Sequence, residues 1–319
     1  MAQIVYPKIN LAEEIEKMKK LRSATILSHN YQIPEVQDLS DFVGDSLELA
    51  LETEKSDNKL IIFCGVHFMA ETLSILAPQK KILLPDLEAG CSLAASINVE
   101  QLLEWKRKHP NSIVISYINT SAAIKAESDI CCTSTNAVKI VESIPGNKEI
   151  LFLPDLFLGA YVEKMTGRSM HIWPGECHVH AKLTAQKINQ LRELQPDADF
   201  LIHPECGCVS NTMYNLVENK ISPKKTKILS TGGMMKYAKS SPAKEFIVAT
   251  ETGILYPLKK ENPTKKFYPA QEDAVCEYMK MINLDNIFKS LNELVYEVKV
   301  PKKIADKARK PILKMLDVI

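Results

Sequence analysis

The sequence predicts an α/β protein of three similar three-layer units, each a parallel sheet covered by helices on both faces. Two observations lead there. Short, β-rich apolar runs alternate with helix-length segments, as buried parallel strands and their crossover helices require. The order strand, helix, strand, helix, strand then recurs three times, with first strands opening near residues 24, 112 and 199. The repetition lies in pattern, not in residue identity. No low-complexity linker divides the units, so they are expected to pack against one another, with domains at 1–105, 106–192 and 193–319.

Taken in order, residues 10–22 carry Leu11, Ile15, Met18 and Leu21 at helical spacing. The first unit has ATILSHNY (24–31), a helix from about Ser46 with Leu47, Ala50 and Leu51 on one face, KLIIFCG (59–65), a helix from His67, and KILLPD (81–86). The second has SIVISYIN (112–119), the short SDICCTS (128–134), a helix with Ala137, Val138 and Val141, and EILFLPD (149–155). The third has DFLIHPE (199–205), a helix through Tyr214 and Val217, KILSTGG (227–233) and EFIVATE (245–251). GILYPLKKENPTKKFYPA then reads as a hairpin or long loop, and its length and polarity make 252–270 a candidate lid. Two helices, about 284–294 and 302–317, close the chain.

Composition narrows the function classes. Apolar residues at 45% and charged residues at 25% of 319 are ordinary for a soluble globular protein, and a chain of this size buries roughly 75% of its unfolded surface. Forty basic residues against 39 acidic ones give none of the surplus that phosphate backbones demand, so no nucleic-acid partner is expected. No segment approaches the roughly 18 apolar residues of a membrane span. The amino-terminal MAQIVYPKINLAEEIEKMKK has no apolar signal core, so no membrane association and a cytoplasmic location are expected. The basic carboxyl-terminal KVPKKIADKARKPILKML reads as a solvated helix face. Eight cysteines in a reducing compartment point to metal binding or catalysis ahead of disulfides, and Cys131-Cys132 and Cys206-Gly207-Cys208 are spaced too closely for easy bridges.

The chemistry gathers at strand ends. LLPDLEAGCSLAASI (83–97) delivers Cys91 at a strand-to-helix junction, where parallel sheets place ligand-binding groups. LFLPDL (151–156) is followed by Cys177 and FIVATE (246–251) by Cys276, so three distant cysteines downstream of similar strand ends could converge on one metal centre. A rival is the compact Cys177-His178-Val179-His180, which could bind zinc; spacing alone does not choose between them. First strands run into His29-Asn30-Tyr31, Tyr117-Ile118-Asn119 and His203-Pro204-Glu205. Helix openings carry Ser46, Thr133-Ser134 and Ser230-Thr231, where backbone N–H groups and the helix dipole favour anions. Together they describe a pocket for a small, multiply anionic substrate. Phosphate-loop, dinucleotide and nucleophile-elbow motifs are absent from the sequence.

Ordered segments spanning nearly the whole chain resemble the quinolinate synthase family: HNYQIPEVQDLSDFVGDSLELA, CGVHFMAETLSIL, LLPDLEAGCSLA, SYINTSAAIKAESDICCTSTNAVKIV, LPDLFLGAYV, WPGECHVH, HPECGC, STGGMMKYA, ETGILYPLKKENPTKKF and CEYMKMINL. The resemblance implies three α/β domains around a pseudo-threefold axis and a [4Fe–4S] cluster held by one cysteine per domain, here Cys91, Cys177 and Cys276. Three ligands would leave one iron open as a Lewis acid. Some relatives carry a C-x-x-C-x-x-C run at the last ligand; this chain has Cys276 alone there, which removes any thiol switch built on that run.

The implied reaction condenses iminoaspartate with dihydroxyacetone phosphate to quinolinate, phosphate and two waters, in de novo NAD biosynthesis. An L-aspartate oxidase or aspartate dehydrogenase would supply the imine. By position in the family pattern, His29, Ser46, Tyr117, Asn119, Ser134, His203 and Thr231 would hold carboxylate or phosphate groups, with Glu205 also at the substrate. Tyr31 and Glu205 would transfer protons, and His203 could share that work. Cys64, Cys131 and Cys132 read as packing residues, His178 and His180 as supports for the site, and Lys236 as an exposed helix lysine.

Overall fold

A computed structural model describes residues 10–218 and 220–318. Its strands are β1 (Ala24–His29), β2 (Phe42–Gly44), β3 (Leu60–Cys64), β4 (Lys81–Leu83), β5 (Ile113–Tyr117), β6 (Ile130–Cys132), β7 (Ile150–Leu153), β8 (His171–Ile172), β9 (Asp199–Ile202), β10 (Thr226–Ile228), β11 (Glu245–Ala249) and β12 (Lys266–Pro269). They form three four-stranded sheets in one order, β2-β1-β3-β4, β6-β5-β7-β8 and β10-β9-β11-β12. Every strand pairing is parallel. The inner strands are covered on both faces and read as unbroken apolar runs: Ile61–Cys64, Ile150–Leu153 and Phe246–Ala249 are fully buried.

In each sheet the chain leaves the first strand for one edge and returns across it to the third strand. That reversal leaves a crevice at the carboxyl ends of the inner strands, where open α/β sheets bind ligands.

Each sheet therefore has four strands where the apolar runs showed three. The additional ones, β2, β8 and β12, are short edge strands that carry little continuous apolar signal; His171 in β8 is exposed. Two expectations change as a result. KILLPD ends on the fourth strand of its sheet and EILFLPD on the third, so their shared Leu-Pro-Asp does not mark equivalent positions. The cysteines instead follow the fourth strands, β4, β8 and β12. Segment 252–270 is neither hairpin nor long loop: it holds the helix Leu255–Glu261 and then β12, paired with β11 from Glu245↔Lys266 to Val248↔Pro269.

Glycines let the units approach closely. A Cβ on Gly175 would lie 2.4 Å from Pro154 O and from Ser96 Oγ, and one on Gly232 would lie 2.7 Å from Asp45 Oδ2. The carboxyl-terminal helices follow the third sheet in sequence but pack on the first two units. Leu284–Glu293 lies on the helix Leu11–Arg22, whose Ile15 is buried while Leu21, expected on the same face, is 75% exposed. Lys302–Leu316 buries Ala308, Ile312 and Met315 against the helix Ala122–Ala126 and β6, leaving its lysines in solvent. Arg309 donates to Ile75 O and Leu76 O at 2.6 and 2.8 Å, satisfying the last carbonyls of the helix His67–Leu76. Among the described residues, no helix is long and apolar enough to cross a membrane.

Asn136 ties this last helix to the loop after β6. Its Nδ2 donates to Met315 O and Val318 O, both at 3.0 Å, and its Oδ1 accepts from Thr133 N at 2.8 Å. Asn136→Ala is expected to lower the unfolding free energy by about 2–4 kcal/mol, from several lost buried hydrogen bonds. Urea denaturation measures this; a change within error would show that the carboxyl terminus docks without that side chain.

Candidate active site

The carboxyl ends of the three sheets surround one cavity, and all twelve candidate residues line it. Each sheet contributes the same strand ends. First strands supply His29 and Tyr31, Tyr117 and Asn119, and His203 and Glu205; the turns after the second strands supply Ser46, Ser134 and Thr231. The loops after the fourth strands supply Cys91, Cys177 and Cys276. Val66 and Glu251, which follow third strands, also face the cavity, and Phe68, Met69 and Leu47 give it an apolar wall.

Two turns use the same device to orient a histidine. Tyr31 N donates to His29 Nδ1 at 3.2 Å, and Glu205 N donates to His203 Nδ1 at 3.4 Å. An imidazole that accepts at Nδ1 carries its proton on Nε2, so each ring can donate from that atom. Burial holds His29 down to about 3, helped by the nearby Lys280 and His180. Burial, then His180 and His29, hold His203 well below the ordinary histidine range. Both rings are neutral at pH 7.

Glu205 is the hub of the polar network. Its Oε1 accepts a hydrogen bond from Tyr117 Oη and lies 3.9 Å from His203 Nδ1. Its Oε2 is 3.3 Å from His180 Nδ1 without hydrogen-bond alignment. Burial pushes Glu205 up to about 7, against the opposing pull of the Tyr117 hydroxyl. Tyr31 Oη lies 2.5 Å from Thr250 Oγ1 and 3.4 Å from His180 Nε2, and His180 is 2.8 Å from Thr250. Burial, followed by the Glu205 charge, raises both phenols well above the tyrosine norm.

The hydroxyl residues do not cap their own helices. Asp45 caps Ser46–Lys55 in a capping box with Glu48, and Ser230 caps Thr231–Ser240 by accepting from Gly233 N at 3.2 Å. Ser46 and Thr231 thus stand at the first helical position. Thr231 Oγ1 receives Asn30 Nδ2 at 3.1 Å. Asn119 Oδ1 is buried without a hydrogen-bond partner, which marks a place for a donor from a bound molecule.

All three cysteines share one local geometry. Each precedes a helical turn, and the N–H groups two and three residues ahead face its sulfur: Leu93 and Ala94 for Cys91, Val179 and His180 for Cys177, Tyr278 and Met279 for Cys276. The three are free thiols. Burial pushes Cys91 up to about 12, Cys177 well above the ordinary thiol value and Cys276 upward. Soft donors facing one poorly solvated cavity, each with backbone donors ready for thiolate charge, suit a thiophilic metal group.

The compact zinc set of Cys177, His178 and His180 does not assemble. His178 turns away from the cavity to Ser92 and Glu277, because the chain enters a helical turn directly after Cys177. Donor atoms of Cys177, His180 and Glu205 do lie within 4.8 Å of one another. Cys206 and Cys208, set against bridging by their spacing, are joined in a disulfide across Gly207 with Cα atoms 5.1 Å apart. Cys64, Cys131 and Cys132 are buried in β3 and β6, and exposed Lys236 pairs with Glu48 at 3.2 Å.

Sequence reasoning missed Asp45, Thr250, Glu251 and Lys280. Asp45 has a signal in its D-x-x-E spacing, and Thr250 and Glu251 close the apolar FIVATE run, where the strand pattern draws attention to the residues before them. Glu251 Oε1 accepts Cys276 N at 3.1 Å and sits 2.9 Å from Lys280 Nζ, and Oε2 accepts Gly253 N at 2.7 Å. Lys280 Nζ also donates to Tyr31 O. This pair of a buried carboxylate and a half-buried lysine joins the Cys276 loop to the Tyr31 turn.

Fold and site define a three-sheet α/β protein whose strand ends enclose a cavity of three thiols, buried acid–base groups and hydroxyls. The family model described as "NadA: Quinolinate synthetase A protein" matches residues 13–317. The chain is 52% identical over 307 residues to a quinolinate synthase of Pyrobaculum aerophilum, covering 96% of this chain and 99% of that one. It is 53% identical over 308 residues to one of Thermus thermophilus, covering 97% of each. A quinolinate synthase of Mycolicibacterium paratuberculosis is 48% identical over 308 residues, with 96% of this chain and 88% of the relative covered. The chain belongs to the quinolinate synthetase A family.

Lys280→Met would leave Glu251 buried without its cation, a loss expected to cost about 3–5 kcal/mol of stability. Adding Glu251→Gln should restore part of it. Urea unfolding of the single and double variants decides the point; a single variant as stable as wild type would mean that the pair holds nothing together.

Proposed function

We propose that the protein is a quinolinate synthase, a transferase of de novo NAD biosynthesis working in the cytoplasm on small molecules. It condenses iminoaspartate with dihydroxyacetone phosphate to quinolinate, phosphate and two waters. The observation that carries this reading is the convergence of Cys91, Cys177 and Cys276, each with the same pair of N–H groups toward sulfur, on a cavity that also holds buried acid–base groups. The donor set fits a [4Fe–4S] cluster with three protein thiolates. When bound, the cluster supplies a Lewis acid at an iron that no protein thiolate holds.

The chain's own groups bind and move protons. Ser46 and Thr231, at helix starts, and Ser134 hold carboxylate and phosphate oxygens, with N–H groups and helix dipoles adding favourable charge. Neutral His29 and His203 donate from Nε2, and Asn119 and Tyr117 orient the remaining polar groups. Condensation and two dehydrations need a group that takes and returns protons near neutrality. Glu205 fits, because burial brings it up to about 7. Tyr31, linked to Thr250 and His180, holds a second proton at Oη. The apolar wall keeps water from the imine, which an L-aspartate oxidase or aspartate dehydrogenase would supply.

A second reading is a single metal ion on Cys177, His180 and Glu205, favoured by the proximity of their donors. It leaves Cys91 and Cys276 without a role. Anaerobic purification separates the two. A brown protein with about four irons and four sulfides per chain is expected, with Cys91→Ala, Cys177→Ala and Cys276→Ala each losing it; a colourless protein with one zinc would reject the cluster. Tyr31→Phe and Glu205→Gln should keep the wild-type visible spectrum while kcat for quinolinate formation falls by about 10²–10⁴. Activity near wild type in either would remove that residue from proton transfer.

A further inference from the structure

Ser92, His178 and Glu277 each stand immediately after one of the three cysteines. On the side of the thiol loops away from the cavity they form one hydrogen-bonded chain. Ser92 Oγ lies 2.6 Å from His178 Nδ1, and His178 Nε2 lies 3.0 Å from Glu277 Oε2. A carboxylate only accepts, so Nε2 donates to Glu277, while Nδ1 and the Ser92 hydroxyl, which can donate or accept, share the second hydrogen bond. Tyr278 packs beside them, edge-on to His178 with centroids 6.0 Å apart, and a Cβ on Gly90 would touch its ring at 3.8 Å. Loops from three separate sheets are thus joined through one imidazole.

We propose that Ser92, His178 and Glu277 are positioning residues: a latch that holds the three thiol loops in register across the unit boundaries and so governs how long a sulfur-bound group is retained. The inference rests on the reading of Cys91, Cys177 and Cys276 as ligands. A group held by sulfurs from three sheets leaves when one loop swings away, and the latch opposes that swing. Its geometry also constrains substitution: the side chain at 178 must donate toward Glu277 and reach the Ser92 hydroxyl with a second polar atom. Glutamine can do both with Oε1 and Nε2, whereas alanine does neither.

The test measures iron release from anaerobically reconstituted holoprotein to a ferrous chelator, together with the rate at which a disulfide reagent labels Cys91, Cys177 and Cys276 in the apoprotein. His178→Ala should release iron about tenfold faster, as expected for losing two hydrogen bonds. Ser92→Ala and Glu277→Ala should each accelerate release less, and His178→Ala/Glu277→Ala no more than His178→Ala alone. His178→Gln should stay close to wild type. Apoprotein thiols should label faster in His178→Ala with the melting temperature unchanged. Wild-type release and labelling in His178→Ala, or equal acceleration in His178→Gln, would overturn the latch. Should His178→Ala not fold, Ser92→Ala and Glu277→Ala give the same reading. Should wild type take up no iron, the ligand assignment fails, and labelling of the apoprotein still decides the latch.

Discussion

Three thiols facing a buried cavity set the terms for the rest of this structure. Burial disfavours their charged form, as the upward displacement of Cys91, Cys177 and Cys276 shows. Two backbone N–H groups at each sulfur work the other way. The sulfurs face one cavity because each follows the fourth strand of its sheet and the three sheets present their carboxyl ends to that cavity. Close packing at Gly175 and Gly232, and terminal helices laid across the first two units, accompany that arrangement.

Function divides by strand number more than by unit. First-strand ends carry acid–base and polar groups, second-strand ends carry hydroxyls, and fourth-strand ends carry sulfur, three times over. The cavity therefore presents chemistry of each kind from three sides. The exception is the third-strand ends, where Val66, buried Asp155 and Glu251 differ in kind. Glu251 serves structure by gripping the Cys276 loop and Lys280, whereas Asp155 caps the helix Leu156–Thr166 through Leu158 N.

Much of this was legible in the sequence, for physical reasons that also explain the gaps. Strands buried on both faces must be apolar throughout, so β3, β7 and β11 stood out as KLIIFCG, EILFLPD and EFIVATE. Edge strands need not be, so β8 hid in two residues and β12 in a lysine-rich stretch that read as loop. That omission misaligns the repeats and falsely pairs the Leu-Pro-Asp of 84–86 with that of 153–155. The cysteines were found nonetheless, because sulfur placed after a strand is conspicuous whichever strand it follows. Long-range partners were not legible: no spacing rule places Thr250 beside Tyr31, Lys280 on the Tyr31 carbonyl or His178 between Ser92 and Glu277.

The most direct measurement is anomalous diffraction at the iron absorption edge from crystals grown without oxygen. One compact iron peak within bonding distance of Cys91, Cys177 and Cys276 Sγ is expected. A lone metal held by Cys177, His180 and Glu205, with the other two sulfurs free, would contradict the three-thiol centre.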